Sequence, residues 1–476
     1  MTNQYLYKII IILFILLLAL GCNVPQKAMK IPNLEVPESY QHAKDTTNSG
    51  QMDWRAYYED ELLIALIDTA LKNNQELTIL AQEIEISRAE VRSRKGEYLP
   101  FAEIRAGLGL EKEGRYTRFG AVDEQLEIRE GQHFPDPLSD VMVGLFSTWE
   151  IDIWKKLHRA KRAAASRYLA STEGRNFMVS QLIAEISESY FELMVLDKLL
   201  EILEQNVGIQ SEAVRVVRQQ KSAARLSQLA VNRFEAQLLN TKNLQYDVKQ
   251  QIVEAENRLK FLSGKFEAPI IRKSLDSSDI GIDDIRSGIP AQLLVNRPDV
   301  RQAELELAAA NLDVQVARAN FLPSLGIKAG VGFRTFAPAF LLQPESILYN
   351  IAGDIIAPLV NRNAIKAAYT SASARQVQAA VHYEQTILRA YTDVLNQVSK
   401  VDNYTNSYTT KSREVDLLVE SVSIANNLFN AARADYAEVL LTQREALEAK
   451  MDLLEIQLQQ MHTKVHLYRS LGGGWN

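Results

Sequence analysis

Two stretches of this chain say nearly the same thing. ANFLPSLGIKAGVG, Ala319 to Gly332, repeats GEYLPFAEIRAGLG, Gly96 to Gly109, with Pro323 and Pro100 in register (323 − 100 = 223 positions apart). Internal repetition constrains a fold more tightly than composition does, because each copy must form the same unit. A helical pattern precedes each copy, LKNNQELTILAQEIEISRAEVRSRKGEYLP before the first strand and LLVNRPDVRQAELELAAANLDVQVARANFLP before the second. At the same offset Asn73 matches Asn296, Leu77 matches Val300, Ile84 matches Leu307 and Val91 matches Val314. Asn73 and Asn296 are the expected N-caps, with Glu76 and Asp299 in the first turn facing the positive helix end. Pro298 suits a helix start, and Pro100 and Pro323 stop each helix by forcing the preceding residue towards extended geometry.

After each proline the hydrophobic period drops to two. Ile104, Ala106, Leu108 and Leu110 share one face, with Glu103, Arg105, Gly107 and Gly109 on the other. In the second copy Leu325, Ile327, Ala329, Val331 and Phe333 oppose Gly326, Lys328, Gly330 and Gly332. A second strand follows in each half. In the first, Val141, Val143, Leu145, Trp149, Ile151 and Ile153 alternate with Gly144, Thr148, Glu150 and Asp152; in the second, Ile347, Tyr349, Ile351 and Ile355 alternate with Asn350 and Asp354. Polar loops are expected between the strands, at Lys112 to Asp140 and Arg334 to Glu345. Segments of about 10 alternating residues with small or polar inner residues fit a lipid-facing wall around a wet interior. Four strands cannot close a barrel, and open edges are not tolerated in lipid, so a membrane reading requires several chains. A half-buried soluble sheet has the same alternation, and Trp149 reads either as an interfacial anchor or as a packed aromatic.

The rest of each half is helical. No proline lies between Leu157 and Pro269, and the helix expected after Ile153 to about Gln220, roughly 64 residues, would be a rod of about 95 Å at 1.5 Å per residue. Ile186, Leu193, Leu200 and Val207 recur every seven residues, as do Leu440, Leu447, Leu454, Met461 and Tyr468. A sustained period of seven predicts coiled-coil packing. KSAARLSQLA (Lys221 to Ala230) and AARADYAEVL (Ala431 to Leu440) are the places where each helix would turn back, although neither contains glycine or proline.

At the N-terminus Lys8 is followed by IIIILFILLLAL, then Gly21 and Cys22. The run is shorter than the ~20 residues of a membrane-spanning helix and has the length of a secretory signal's apolar region. LALGC resembles the bacterial lipoprotein signal, with Ala19 where a leucine is usual, and it implies lipidation of Cys22, the sole cysteine. The net charge of −6 leaves no electrostatic footprint for nucleic acid. Charged residues at 24% and hydrophobic ones at 47% exclude both a disordered chain and a polytopic helical membrane protein.

With those residues in view, the chain resembles the TolC-type outer-membrane efflux family, and within it the lipoprotein outer-membrane factors of resistance-nodulation-division pumps. The likeness runs over about residues 22 to 476. It rests on LLVNRPDVRQAE (Leu293 to Glu304), YRSLGGGW (Tyr468 to Trp475), FLPSLGI, and WEIDIWKKLHRA at a strand–helix junction. The resemblance implies a mostly α protein with a membrane β-barrel: long coiled-coil hairpins forming an α-barrel, and four strands per chain in a trimeric 12-stranded outer-membrane β-barrel. It implies a signal at 1–21 and an N-terminal segment at 22–66. A first repeat would span 67–270, with strands about 99–111 and 141–154, and a linker 271–289. A second would span 290–476, with strands about 322–334 and 346–358. The expected partners are two further copies, a periplasmic adaptor, an inner-membrane pump and outer-membrane lipid. Neither a cofactor nor catalysis is implied, and transport would be passive.

The same resemblance places adaptor-docking tips at Arg225, Leu226, Ala434, Asp435 and Tyr436. It also places the periplasmic mouth at Glu420, Ser423 and Asn426, where family members carry acidic side chains. A mouth with one carboxylate and two neutral groups would constrict without the cation attraction of a full acidic ring. The barrel lining would comprise Glu103, Arg105, Glu150, Asp152, Lys328 and Asp354. His462 and His466 have the i, i+4 spacing of a metal clamp, but Thr463 stands where a metalloprotease has its glutamate, and the pair reads as helical seam. Glu150 and Asp152 are a same-face carboxylate pair with no nucleophile nearby, so they read as lining. The alternatives are a periplasmic adaptor, which would carry one hairpin and soluble β-domains, and a structural envelope coiled coil without a pore.

Overall fold

The computed structural model describes residues 25, 27–40, 47–267, 269–275, 287–431 and 433–475. The signal segment and Cys22 lie outside them. The described residues divide into two compact units, one drawn from 25–31, 85–169 and 305–381, the other from 32–84, 170–304 and 382–475. Each unit thus draws on both repeats.

The first unit is built on a four-stranded antiparallel sheet of order β1-β4-β5-β6, with β1 Phe101–Glu111, β4 Leu138–Ile151, β5 Ser324–Thr335 and β6 Ile347–Ile356. The central pairing joins the two repeats: Val143 lies opposite Phe333, Leu145 opposite Val331 and Trp149 opposite Ile327. The segment expected as a loop between β1 and β4 instead holds a helix, Arg118–Gln125, and a small hairpin of β2 Glu127–Arg129 and β3 Gln132–His133. Thr117 caps that helix on the Gly120 N–H, and Gly131 makes the hairpin turn at φ 76°. Neither element has an apolar period long enough to read from sequence. At the base of the sheet, the Trp149 indole donates to the Tyr98 carbonyl (3.0 Å) and the Trp154 indole to the Pro323 carbonyl (2.6 Å). Each proline junction is thereby tied to the strand beside it.

Four long helices dominate the chain. Lys156–Ser222 and Asn363–Asn430 have 67 and 68 residues, and their return helices, Gln228–Leu262 and Tyr436–Ser470, have 35 each. Matching lengths are what duplication demands. In the second unit the seven-residue ladders become the core: Ile186 and Leu193 are buried from one repeat with Leu200 half-buried against them, and Leu447, Leu454, Met461 and Tyr468 are buried from the other. Full burial of such side chains contributes about 1.5–3 kcal/mol each. The helix Glu61–Asn73 adds Leu63 and Ile67 to the same core, and Tyr57 stacks on Tyr468 with ring centroids 4.0 Å apart.

The two expected N-caps are each displaced by one residue. Asn73 closes the helix Glu61–Asn73, and it is Asn74 whose side chain accepts the Leu77 N–H (3.1 Å) at the start of Gln75–Glu97. Asn296 likewise ends the short helix Leu293–Asn296, leaving Arg297 before Pro298–Ala319. In both repeats a preceding helix runs up to the asparagine and takes it as its last residue.

Candidate functional site

The four strands build a wall with two chemically distinct faces. Pairs such as Ile104 with Leu145, Leu108 with Val141, and Ala329 with Ile351 put every apolar row on one side. Ile104 and Leu108 are each 77% exposed there, so this face has no packing partner among the described residues. The opposite face is charged and glycine-rich. Glu103 pairs with Arg105, Lys328 with Asp354 (2.7 Å), and Arg334 with Asp140 through two contacts of 2.8 and 2.9 Å. Glu150 pairs with Lys156 (2.5 Å). A Cβ at Gly332 would meet Gly144 Cα at 2.5 Å, and one at Gly330 would meet the Phe146 ring at 2.6 Å. Glycine is therefore required where this face is crowded by backbone and by the one aromatic that fills it. Alternating signs, each charge held by an opposite one, make a hydrated surface without a strong field of either sign.

Of the six expected lining residues, five sit on this face. Asp152 does not. It follows the end of β4, its side chain is closed off from solvent, and it accepts the Leu157 and His158 N–H groups (3.0 and 2.8 Å) as well as His158 Nδ1 (2.6 Å). Those are first-turn donors of the long helix, so Asp152 caps the strand–helix junction. Burial works against its charge, but these hydrogen bonds and His158 hold its carboxyl below the usual range. Asp140 and Arg334, both missed from sequence, belong to the same charged face. They stood at the edges of expected loops, and only their cross-strand pairing gives them a role.

The helix tips resemble each other. Ser222 is followed by Ala224 in left-handed geometry (φ 58°), and the Arg225 N–H returns to the Gln220 carbonyl (2.9 Å). At the second tip the Arg433 N–H returns to Leu428 in the same five-residue pattern (2.8 Å). Both are helix C-terminal turns, and at the first tip Ala224 adopts a geometry that normally favours glycine. Ser227 then caps the return helix, whereas Asp435 occupies the cap position without bonding a helix N–H. Leu226 and Tyr436 pack into one cluster with Val217, Val231 and Phe234, so the tips are neighbours. Arg225 and Asp435 are exposed, and Ala434 is half-buried. On Asn363–Asn430, Glu420 and Ser423 are exposed and Asn426 half-buried, beside exposed Leu417, Ile424 and Leu428.

The profile of the outer membrane efflux protein family matches residues 66–265 and 289–473. The chain belongs to that family. The solvent efflux pump outer membrane protein SrpC of Pseudomonas putida is 27% identical over 477 residues, with 98% of each chain covered. The probable outer membrane lipoprotein SilC of Salmonella typhimurium is 26% identical, with 98% of this chain and 99% of that one covered. The solved Campylobacter jejuni CmeC outer membrane channel shares the fold at a TM-score of 0.82 and 21% identity, covering 95% of both chains. As a member of the outer membrane efflux protein family, this chain is an outer-membrane transport protein and not an enzyme. The two-faced sheet and the paired tips are the features of its own geometry that bear on transport.

Proposed function

We propose that three copies of this chain close a 12-stranded barrel that serves as the passive exit duct of a tripartite efflux pump. The observation that carries the reading is the unbroken two-faced sheet with a free edge at β1 and another at β6. In lipid both edges must be paired. With four antiparallel strands per chain, β1 of one copy runs opposite to β6 of the next, so head-to-tail pairing continues the ladder and closes as a ring. The charged face then lines the lumen and the apolar face meets lipid. The long helices carry the conduit into the periplasm, with Glu420, Ser423 and Asn426 at its mouth. Arg225, Leu226, Ala434, Asp435 and Tyr436 form the tips that dock a periplasmic adaptor, which couples the duct to an inner-membrane pump that supplies the energy.

Conductance of the purified protein in planar bilayers, with its mass in detergent, tests the proposal. Single-channel conductance from a species of three chains is expected; a non-conducting monomer would refute it. We further propose that Cys22 is acylated. Cys22→Ser should abolish labelling with an acyl-chain probe, and labelling that persists would show that another residue carries the lipid.

A further inference from the structure

The two most distinctive segments of the sequence, LLVNRPDV and YRSLGGGW, meet in the second unit. The Trp475 indole donates to the Asn296 carbonyl (3.2 Å), and Gly472, at φ 90°, lies so close to that carbonyl that a Cβ would approach it to 2.6 Å. Arg297, 7% exposed at its side chain, is held by Asp299 (2.7 and 3.0 Å), Asp393 (3.4 Å) and the Ser470 carbonyl (3.2 Å). This network is satisfied. It consumes both carboxylates that face the site.

Beside it is a cavity of about 340 Å³ lined by residues of both repeats, among them Ser180, Arg297, Arg389 and Arg469. The Arg389 and Arg469 side chains make no hydrogen bond or ion pair among the described residues. Ser180, only 4% exposed, has a hydroxyl with no partner. The carboxyl that the Arg469 charge reaches is Glu188, which burial lifts to about 7, so it offsets Arg469 only in part at neutral pH. Two guanidinium groups without an ion-pair partner around one hollow repel each other, and a buried hydroxyl without a partner is destabilising. An anion removes both penalties.

We infer that this cavity binds a small tetrahedral oxoanion, of the phosphate or sulfate class, between Arg389, Arg469 and the Ser180 hydroxyl. Guanidinium forks match oxyanion geometry. The volume is at the lower end of the range for small-molecule sites and accommodates such an ion with several waters, at ~30 Å³ per water. Bound there, the ion ties the first repeat, through Ser180, to the second, through Arg389 and Arg469.

The test is calorimetric titration of the full-length protein in detergent with inorganic phosphate, against sodium chloride at equal ionic strength. One site per chain is expected, with a rise in the thermal midpoint that saturates. Arg389→Gln and Arg469→Gln should each weaken binding at least tenfold, and Ser180→Ala several-fold. Arg389 is exposed, so its variant tests the site even if Arg469→Gln folds poorly. Glycerol 3-phosphate runs in parallel: tighter binding than phosphate assigns the site to a lipid headgroup, equal or weaker binding to the free ion. A chloride response equal to that of phosphate, or an Arg389→Gln variant that titrates like the parent, overturns the inference.

Discussion

Replacing Leu108 by arginine and, separately, its neighbour Gly107 by arginine puts the same charge on opposite faces of one strand. Leu108 lies two residues past Ala106, the middle of β1. In the proposed barrel, at about 3.4 Å per residue and a tilt near 40°, that is roughly 5 Å from the bilayer midplane, well inside an apolar band about 25 Å tall. An arginine on the lipid face costs about 2–4 kcal/mol at the midplane and about 0–1 at the interface, so Leu108→Arg should cost about 2–3 kcal/mol. Gly107 faces the other way, and a Cβ built there meets nothing within 4 Å. Gly107→Arg should therefore cost less than about 1 kcal/mol, since lumen substitutions mainly tune selectivity. Reversible guanidinium unfolding of protein folded into lipid vesicles measures both. Equal losses at the two positions, or a Leu108→Arg loss under about 0.5 kcal/mol, would refute the assignment of the faces.

Three other outcomes are expected. Arg297→Met removes the buried cation and leaves Asp299 and Asp393 facing each other, so the thermal midpoint should fall by an amount equivalent to about 3 kcal/mol or more; an unchanged midpoint would show that the network adds no stability. Burial raises the Glu188 carboxyl to about 7, with Arg469 and Arg258 opposing and Glu185 and Glu192 adding to the shift, so its contribution is full below about 4.5 and lost as pH rises towards 7. His466, 3.2 Å away and pushed down to about 4 by burial, behaves oppositely: its contribution is full above about 6.5 and lost as pH falls towards 4. Glu188→Gln should therefore gain on the parent at pH 8 relative to pH 5, by up to about 3 kcal/mol, and thermal scans showing a pH-independent difference would contradict this. Leu226→Glu at the first tip should abolish export in cells while leaving bilayer conductance intact; loss of both would place Leu226 in assembly.

What the sequence determined by itself were the features with a short period. Alternation at two and at seven is local, and it marks which residues share a face before any partner is known; Leu108 and Ile351 are apolar in the same register for this reason. The turns at Lys221 to Ala230 and Ala431 to Leu440 were only candidates in the sequence, since both stretches lack glycine and proline. Tertiary structure alone decided everything that depends on distant partners. Arg334 finds Asp140 across 194 positions, and Arg297 finds the Ser470 carbonyl across 173. Asp152, which alternation assigns to the strand, is claimed by the amides of the helix that follows, and Asn73 and Asn296 by the helices that end on them. Charged and polar groups are settled by whichever donor or acceptor the fold brings within about 3 Å, and no period along the chain encodes that.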